Sequence, residues 1–354
     1  MTCMIIPPYL LQRLARLDDP HLAGAAAAAR ASLARDAPFR GVRFGERTLQ
    51  ASREHRSFAA SQRPSGPHRT IFDAHGTEDL PGLVVRREGE SAPDDVAVTE
   101  AYDGLGHTHG FLRDVLDRAS IDDANLPLDA TVHFGDSYDN AFWDGERMVF
   151  GDGDGMVFTR MTASLSVIGH ELAHGVTQYT ANLRYEGQSG ALNESVSDVI
   201  GALVEQHTLG QNVANATWLI GLGLFTDAVE GDALRSLKAP GTAYNDDVLG
   251  QDPQPAHMRD FVDTREDNGG VHLNSGIPNH AFYLVAAKLG GFAWERAGRI
   301  WYDALIDESL PETADFVTFA GATVRAAAGR FGTSSPELAA VYAGWEGVGV
   351  NPAE

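Results

Sequence analysis

Apolar and polar positions repeat along this chain with mostly strand-like periods before residue 160 and mostly helical periods after it. Short alternating apolar runs predict strands over residues 69–74, 82–86, 131–134, 148–150 and 156–159. Helical spacing predicts helices over residues 96–118, 281–288, 294–306, 314–328 and 336–342. The pattern therefore predicts an α+β protein.

Two further helices are predicted between these groups. The first carries apolar residues at helical spacing from Met161 to residue 169, and Thr162 or Ser164 could cap it. The second extends from about Gly190 to Leu209. Its apolar stripe comprises Leu192, Val196, Val199, Ile200 and Leu203. The residues with the strongest chemical pattern lie on these two helices.

The first of these helices contains the run His170-Glu171-Leu172-Ala173-His174. Residues four positions apart share a helix face, with about 5–6 Å between their Cβ atoms, so His170 and His174 can bind one Zn²⁺. Glu171 points to the side and is free to act on a metal-bound water. On the second helix Glu194 offers an oxygen as third ligand and leaves a fourth position open, as in catalytic zinc sites.

Asp198 lies four residues after Glu194, on the same helical face. It can accept a hydrogen bond from the second nitrogen of a ligand histidine and so fix the orientation of that ring. Because the chain has 13 His in 354 residues, a chance His-Glu-x-x-His is an alternative. The helical context and the two downstream carboxylates argue against chance, so the sequence predicts a catalytic zinc site.

From His170 to Asp198 the chain resembles the thermolysin-like neutral metalloproteases, and two other blocks are similar to the same family. Residues 140–145 and 148–155 resemble its substrate-binding edge strand and the following turn, and residues 267–279 resemble its catalytic-histidine segment. The resemblance extends from about residue 69 to the end. It implies a two-lobed fold, with a β-rich lobe, then a helical lobe, and the zinc helix at the cleft between them.

The resemblance also implies a role for each residue near the zinc. Glu171 is expected to take a proton from the water and deliver it to the leaving amine. His272 and Tyr185 are expected to donate hydrogen bonds to the oxyanion, and Asp267 to orient His272 in its charged form. From the residues alone, Asp267 could equally be a turn residue before glycine, and Tyr185 a half-buried surface residue.

An extended peptide substrate is expected to pair with the edge strand at Asn140 and Ala141. By resemblance, Arg235 reaches the substrate carbonyl. The positions that match the family's main specificity pocket are Phe158, Val167, Ile220 and Leu234. This apolar lining implies cleavage before bulky hydrophobic residues, although ordinary core residues would give the same pattern.

Larger relatives hold two calcium ions with several carboxylates, and at the corresponding positions here only Glu205 remains acidic. The other matching positions are Ser166, Thr217, Leu219 and Leu222. Because calcium requires about 6–8 oxygen ligands, several of them carboxylates, this double site is predicted to be absent. Asp232 matches one ligand of a separate surface site.

Charge is distributed unevenly along the chain. Residues 1–69 contain 11 Arg, no Lys and 5 acidic residues, a net charge of +6. The whole chain has 27 basic and 49 acidic residues, so the remainder has 16 basic and 44 acidic residues, a net charge of −28. We therefore expect the N-terminal segment to dock on the acidic remainder rather than on nucleic acid or an anionic surface.

The N-terminal segment resembles the short propeptides of the protealysin branch through Pro7-Pro8-Tyr9. Residues 61–68 form a Pro/Gly/Ser linker, and a maturation cut is expected between residues 40 and 69. We do not expect the start to act as a secretory signal, because it has no basic region and two prolines interrupt the apolar stretch. Cys3 is the only cysteine, which excludes an internal disulfide and leaves a zinc-capping thiol as a minor alternative.

The predicted organisation is a propeptide and linker at 1–68, a β-rich lobe with the zinc helix at 69–182 and a helical lobe at 183–354. The leading hypothesis is a zinc endopeptidase made as a zymogen, a monomer that binds one zinc ion and acts on proteins and peptides. No run of eighteen apolar residues exists, and neither a membrane nor a nucleic-acid partner is expected. Secretion without a recognisable signal peptide is expected, and a cytoplasmic precursor is the alternative.

Two other function classes stay open at this point. An aminopeptidase of a neighbouring gluzincin family also uses His-Glu-x-x-His with a downstream Glu. A metal-binding module without activity would be expected to lose Glu171 or the oxyanion donors, yet all of them are present. Activity on N-terminally blocked peptides would separate the endopeptidase from the aminopeptidase.

Overall fold

The structure, a computed structural model, describes residues 3–40 and 66–352 of the chain. The first of its two compact units ends at Ser164 and the second begins at Leu165. The first contains the six-stranded sheet and the second most of the helices, so the predicted α+β class is confirmed. Residues 41–65 of the expected cut range, and with them part of the predicted linker, lie outside the described residues.

A six-stranded mixed sheet forms the frame of the first unit. Its strands are β1 (Cys3–Met4), β2 (Arg69–Asp73), β3 (Leu83–Arg87), β4 (Leu128–Val132), β5 (Ala141–Trp143) and β6 (Met148–Phe150). Their order is β1-β5-β6-β4-β2-β3, with β2, β4 and β6 parallel and the other pairs antiparallel. The N-terminal segment thus supplies the edge strand beside β5.

The α-helices described in this unit are α1 (Pro8–Leu14), α2 (Ala23–Arg40) and α3 (Val96–Leu116). α3 begins where the sequence predicts it because the Asp95 carboxylate accepts a hydrogen bond from the N–H of Val98 at 3.2 Å. It ends at Asp117, whose φ of 54° lies in the left-handed region. The cap at each end therefore fixes the length of α3.

The N-terminal segment also contributes to the core of this unit. The buried cluster comprises Met4, Ala74, Phe134, Tyr138, Phe142 and Val149. Edge-to-face aromatic pairs order it, with ring centroids 5.3 Å apart for Phe134 and Tyr138 and 5.7 Å apart for Phe134 and Phe142. Met4 is therefore packed as a core residue rather than as part of a loose tail.

One predicted strand is wrong. Residues 156–159 form no strand, because the Asp154 carboxylate accepts hydrogen bonds from three successive backbone N–H groups at 2.8–2.9 Å. These donors belong to Met156, Val157 and Phe158. They curl the backbone into a turn that competes with sheet pairing. The other four predicted strands are present, with boundaries shifted by no more than three residues.

The second unit is mainly helical. Its helices are α4 (Leu165–Gln178), α5 (Gly187–Leu209), α6 (Asp267–Asn274), α7 (Gly276–Leu289), α8 (Ala297–Leu305), α9 (Phe316–Phe331) and α10 (Pro336–Gly347). Short strands β7 (Leu219–Ile220), β8 (Arg235–Ser236), β9 (Asn245–Asp246) and β10 (Gly250–Gln251) form two two-stranded sheets. A 3₁₀ turn at Met161–Ala163 precedes α4, so the regular helix begins later than Met161.

Helices α4 and α5 approach each other closely at two glycines. A Cβ at Gly201 would overlap the carbonyl oxygen of Ser166, and a Cβ at Gly169 would lie 3.0 Å from the Cα of Gly201. Only residues without a side chain permit this approach. It brings the helix with the two histidines against the helix with Glu194.

The predicted lobe boundary near residue 182 differs from the packing boundary at residue 164, which assigns the whole of α4 to the second unit. The boundary at residue 164 follows from contacts between residues of this chain and does not test the lobes that the family resemblance implies. The boundaries at 68 and 182 therefore stay predictions. Among the described helices, none has the length and apolar character needed to cross a membrane.

Candidate active site

Two histidines and one carboxylate converge on a single point in the second unit. His170 and His174 are buried on α4 with their Nε2 atoms 3.0 Å apart. Glu194 on α5 lies 3.5 Å from Nε2 of His170 and 3.6 Å from Nε2 of His174. Ligands about 2.0–2.2 Å from a tetrahedral zinc ion are separated from each other by about 3.3 Å. The three side chains therefore fit one zinc ion.

The other ring nitrogen of each histidine is held by an acceptor. Nδ1 of His170 lies 2.8 Å from Oδ1 of Asp198, and Nδ1 of His174 lies 2.8 Å from Oδ1 of Asn193. The amide of Asn193 is oriented because its Nδ2 donates to the carbonyl oxygen of Leu183 at 3.1 Å. These acceptors favour a proton on each Nδ1 and leave each Nε2 lone pair available to a metal.

The charge states also suit a metal site. Burial, together with the rings of His170 and His272, lowers the pKa of His174 to about 3, although the carboxylate of Glu194 opposes this shift. His174 is therefore neutral at physiological pH, which is the state that metal binding requires. Burial would raise the pKa of Glu194, but the three histidines lower it below its ordinary value. The side chain of Glu194 is therefore ionised.

Glu171 lies beside the two histidines on α4 and is fully buried. One of its carboxylate oxygens lies within 4.8 Å of a ring nitrogen of His170 and of His174. The residue is offset from both histidines by its position on the helix, so its oxygens lie beside the metal-binding point. A carboxylate placed in this way can move a proton near the metal.

Asp198 is the centre of a buried hydrogen-bond network. Nε and one Nη of Arg235 each donate to its carboxylate at 2.9 Å, and Nδ2 of Asn279 donates at 2.8 Å. Burial would raise the pKa of Asp198, but the guanidinium of Arg235 and the ring of His170 hold it well below its usual range. Arg235, expected to reach a substrate carbonyl, is thus bound to Asp198 here, and its role toward substrate stays a prediction.

His272 and Asp267 form a second pair near the histidines. Nδ1 of His272 lies 2.7 Å from Oδ1 of Asp267, and the N–H of His272 donates to Oδ2 at 2.9 Å. Burial lowers the pKa of His272, but the carboxylates of Asp267 and Glu194 outweigh this effect and raise it to about 9. The His272 ring is therefore charged at neutral pH.

The backbone between Asp267 and His272 explains how the two side chains meet. Asn268, Gly269 and Gly270 have φ values of 51°, 86° and 73°, a left-handed run that favours glycine. This run turns the chain back, so that Asp267 reaches both the N–H and the ring of His272. Asp267 is thus a turn residue before glycine, as the alternative from the sequence suggested, and it is also the partner of His272.

Tyr185 joins the two groups of residues. Its hydroxyl donates to Oε1 of Glu194 and lies 3.3 Å from Nε2 of His272. The side chain is buried, so the alternative of a half-buried surface residue does not describe it. The hydroxyl of Tyr185 and Nε2 of His272 therefore face the same small region beside the metal-binding point.

Two family models cover nearly all of the chain from residue 40 onward. The thermolysin metallopeptidase catalytic domain matches residues 40–178, and the thermolysin metallopeptidase alpha-helical domain matches residues 181–350. The chain belongs to the thermolysin metallopeptidase family. The predicted family and the predicted class of metalloendopeptidase are therefore confirmed, and membership implies a zinc cofactor and protein substrates.

Individual relatives agree with this family. An extracellular metalloprotease of Pectobacterium carotovorum subsp. carotovorum is 48% identical over 349 residues, which cover 98% of this chain and 96% of the relative. A thermolysin of Alicyclobacillus acidocaldarius subsp. acidocaldarius is 37% identical over 79% of this chain and 50% of its own length. The solved precursor of protealysin from Serratia proteamaculans is 47% identical, with a TM-score of 0.87 over 98% of this chain and 99% of that one. The predicted similarity to the protealysin branch is confirmed.

The predicted substrate-binding residues of this family member lie in both units. Val167, Ile220 and Leu234 are fully buried in the second unit, and the N–H of Leu234 donates to the carbonyl oxygen of Ile220 at 2.9 Å. Asn140 and Ala141 lie in the first unit, as does Phe158. The buried apolar side chains agree equally with a pocket and with an ordinary core, so their specificity role stays a prediction.

Three residues of the site were not found from the sequence. Asn193 and Ser197 both contact Nδ1 of His174, and Asn279 contacts Asp198. A signal existed for the first two, because they are four residues apart on α5 and share a face. Asn279 is the last residue of the block 267–279 that resembles the family, but no local spacing indicated its contact with a partner 81 residues away.

Proposed function

We propose that the chain is the latent precursor of a zinc endopeptidase in which Glu171 acts first as general base and then as general acid. The observation that carries this proposal is the convergence of His170, His174 and Glu194 on one point with Glu171 beside it. These three residues would hold the zinc ion. Zinc bound there would lower the pKa of a water and polarise the peptide carbonyl.

The residues around this point would carry the proton and the developing charge. Glu171 takes a proton from the attacking water and delivers it to the leaving amine nitrogen. Tyr185 and the charged ring of His272 donate hydrogen bonds to the oxyanion. Asp267 keeps His272 charged and fixes its ring through two hydrogen bonds. Asp198 fixes the ring of His170 in the same manner.

The direct test is the substitution Glu171→Gln, which keeps the side-chain shape and the three metal ligands. We expect kcat/KM on an N-terminally blocked peptide to fall by about 10²–10⁴-fold, because the proton acceptor is lost. Zinc content, measured by elemental analysis, should stay at the wild-type level. Unchanged peptide hydrolysis by Glu171→Gln would reject the assigned role of Glu171. Preference for free N-terminal dipeptides over blocked peptides would favour the aminopeptidase.

We also propose cleavage before bulky hydrophobic residues. Val167, Ile220 and Leu234 support this specificity, since all three are apolar and fully buried in the unit that holds the metal ligands. Mass spectrometry of a digested protein substrate would list the residues that follow each cut. A majority of charged or small residues at that position would contradict the proposal.

The contacts of the N-terminal segment support a latent precursor. In β1, Cys3 pairs with Trp143 and Met4 with Phe142, and the N–H of Ile5 donates to the carbonyl oxygen of Ala141 at 3.1 Å. This is the strand-addition mode in which an extended substrate would bind β5. Removal of the segment by a cut between residues 40 and 69 should therefore free the edge of β5. Mass spectrometry of wild type and Glu171→Gln after incubation with zinc would locate the cut.

A calcium-independent enzyme is part of the same proposal. Burial raises the pKa of Glu205, and the groups that act on its carboxyl are the hydroxyls of Thr217 and Ser166. The other positions that match the double calcium site are Ser166, Thr217, Leu219 and Leu222, and none of them is acidic, which disfavours a divalent cation with several acidic ligands. After chelation, zinc alone should restore both activity and thermal stability. A further requirement for calcium would contradict this expectation.

The proposal extends to location and oligomeric state. A relative that is 48% identical to this chain is named extracellular metalloprotease, and we propose that this chain is secreted as well. Fractionation of culture medium and cells would test it. We propose a monomer, which sedimentation of the purified precursor would test.

A further inference from the structure

Two parts of the N-terminal segment meet on one side chain of the first unit, Asn140. The N–H of Ile6 donates to Oδ1 of Asn140 at 2.9 Å, and Nδ2 of Asn140 lies 3.4 Å from the carbonyl oxygen of Ile6. The chain just after β1 is therefore bound by both ends of the Asn140 amide. The same Oδ1 also accepts from the N–H of Ala141 at 3.1 Å.

The second part is helix α2, which contributes Asp36. Nδ2 of Asn140 donates to Oδ2 of Asp36 at 3.0 Å, and the hydroxyl of Tyr138 donates to Oδ1 at 2.7 Å. Asp36, Tyr138 and Asn140 are all fully buried. One turn earlier on α2, Oγ of Ser32 accepts from the N–H of Asp139 at 3.0 Å. Helix α2 is thus hydrogen-bonded to the residues that lead directly into β5.

Attraction between a basic segment and an acidic body does not explain this contact. Asp36 is an acidic residue, and it is buried close to Asp139, which is also fully buried. A buried carboxylate is costly unless hydrogen bonds compensate for its lost hydration. The donors from Tyr138 and Asn140 supply such bonds, and hydrogen bonds to a charged acceptor are stronger than neutral ones. The position of Asp36 therefore calls for a specific role.

We infer that Asp36 determines the latency of the precursor by holding the amide of Asn140 in the orientation that binds Ile6. Helix α2 and strand β1 then leave the edge of β5 together, because each is bound through the same side chain. Asn140 cannot bind Asp36 and Ile6 while it binds a substrate backbone. This inference rests on the proposed function, in which β5 is the substrate-binding edge and the N-terminal segment is removed on maturation.

The position of Asp36 in the chain allows its role in the precursor to be tested separately from the activity of the mature enzyme. Because Asp36 lies in the segment that maturation removes, its substitution changes the precursor and leaves the mature enzyme identical. Asp18 provides a matched control, since it is an exposed aspartate of the same segment. Tyr138→Phe is a second, milder variant that removes one donor to Asp36 and leaves Asn140 unchanged.

The first measurement is amide hydrogen exchange in the Glu171→Gln background, which holds the precursor intact. We expect Asp36→Ala to raise the exchange rate of the Ile5 and Ile6 amides by about tenfold or more, because the loss of bonds to a charged acceptor loosens the segment on that scale. Tyr138→Phe should raise it less. Asp18→Ala should leave it unchanged. Equal protection of Ile5 and Ile6 in all four proteins would overturn the inference.

The second measurement is the half-time of maturation with Glu171 restored. Asp36→Ala should shorten it several-fold relative to Asp18→Ala, while the matured proteins share one kcat/KM. Maturation at the control rate with an active product would reject the role of Asp36 alone. A matured wild-type protein without peptidase activity would instead reject the proposed function. If Asp36→Ala does not fold, Tyr138→Phe provides the exchange readout by itself, and the conservative variant Asp36→Asn, which leaves the mature enzyme identical, provides the maturation half-time.

Discussion

At the residue scale, a partner that orients a metal ligand is itself fixed by further hydrogen bonds. Asp198 fixes the ring of His170 and is bound in turn by Arg235 and Asn279, all of them fully buried. A buried ion pair of this kind contributes little stability when complete, but the loss of one member leaves an uncompensated polar group. The network therefore sets the orientation of His170 more than it stabilises the fold.

Asn279→Ala tests that conclusion. The carboxylate of Asp198 loses one of its donors, so the ring of His170 should be less well oriented, and zinc affinity should fall by about 10–100-fold. Competition with a chromophoric chelator measures this affinity. Asn245→Ala, at an exposed position of β9, is the control and should bind zinc as the wild type does. Equal affinity in both variants would show that Asn279 has no influence on the site.

A second substitution separates the oxyanion donor from the metal site. Tyr185→Phe removes one hydroxyl while the ring keeps its packing, and we expect kcat to fall by about 10²–10³-fold. Zinc content and melting temperature should change little, because the three ligands and their partners remain. A loss of zinc would instead assign the hydroxyl to the support of Glu194, which it also contacts.

The sequence predicted the residues whose positions follow from local spacing. His170 and His174 share a helix face, and Glu194 and Asp198 share another, so helical geometry alone was sufficient. Asn279 was not predictable, because it reaches Asp198 only through the packing of α7 against α5. Tyr185 and His272 were expected by resemblance, and their shared position beside Glu194 depends on tertiary structure.

At the element scale, the distance between α4 and α5 decides the geometry of the metal ligands. Gly201 on α5 faces the carbonyl oxygen of Ser166 on α4, with no room for a Cβ. The N–H of His170 is also close, 3.0 Å from where that Cβ would lie. A side chain at this position must push the two helices apart, and it acts directly beside the first zinc ligand.

Gly201→Ala should therefore be costly although alanine favours helices. We expect the free energy of unfolding to fall by about 1–3 kcal/mol from overpacking, and zinc affinity to fall with it. Gly210→Ala would confuse the result, because Gly210 is the left-handed cap of α5. Gly110→Ala is the better control, since a Cβ there meets no atom. Denaturant titration and chelator competition provide the two measurements, and a stable, zinc-loaded Gly201→Ala would contradict this account.

Elements with clear periodicity were predicted well, and those that depend on competing bonds were not. The strand at Met148–Phe150 matched to the residue, and the helix predicted at 96–118 is present as α3. The strand predicted at 156–159 failed because Asp154 caps three backbone N–H groups. β1 could not be predicted, since a two-residue strand exists only through its pairing with β5.

At the scale of the whole molecule, opposite charge explains only part of how the N-terminal segment docks. Arg35 pairs with Glu78 at 2.6 Å, as a basic segment on an acidic body should. Deeper in the same contact, however, Asp36 and Asp139 are both buried. Surface ion pairs contribute little stability. The buried carboxyl of Asp139 is therefore expected to contribute more to the response of the precursor to pH than this surface ion pair.

In the first unit, the fold strongly raises the pKa values of Asp139 and His133. Burial, with the carboxylate of Asp154, raises the pKa of Asp139 from 3.8 to about 8. A hydrogen bond with Asp152, and a second with Asp95, raise the pKa of His133 from 6.5 to about 9. Both groups bind a proton more tightly in the folded state than in the unfolded state, so unfolding releases protons across these windows.

The sign of the pH dependence follows from this proton release. The contribution of Asp139 to the free energy of unfolding is complete below pH 3.8 and is lost as the pH rises to about 8. The contribution of His133 is lost between pH 6.5 and about 9. We expect the Glu171→Gln precursor to lose up to about 1.4 kcal/mol of stability per pH unit between pH 5 and 8 through Asp139. Asp139→Asn should flatten this slope and be the more stable protein at pH 8, whereas Asp94→Asn, at an exposed position, should keep it. Denaturant titrations at pH 5, 6.5 and 8 measure the slope, and equal slopes for the two variants would show that Asp139 is not the group that titrates.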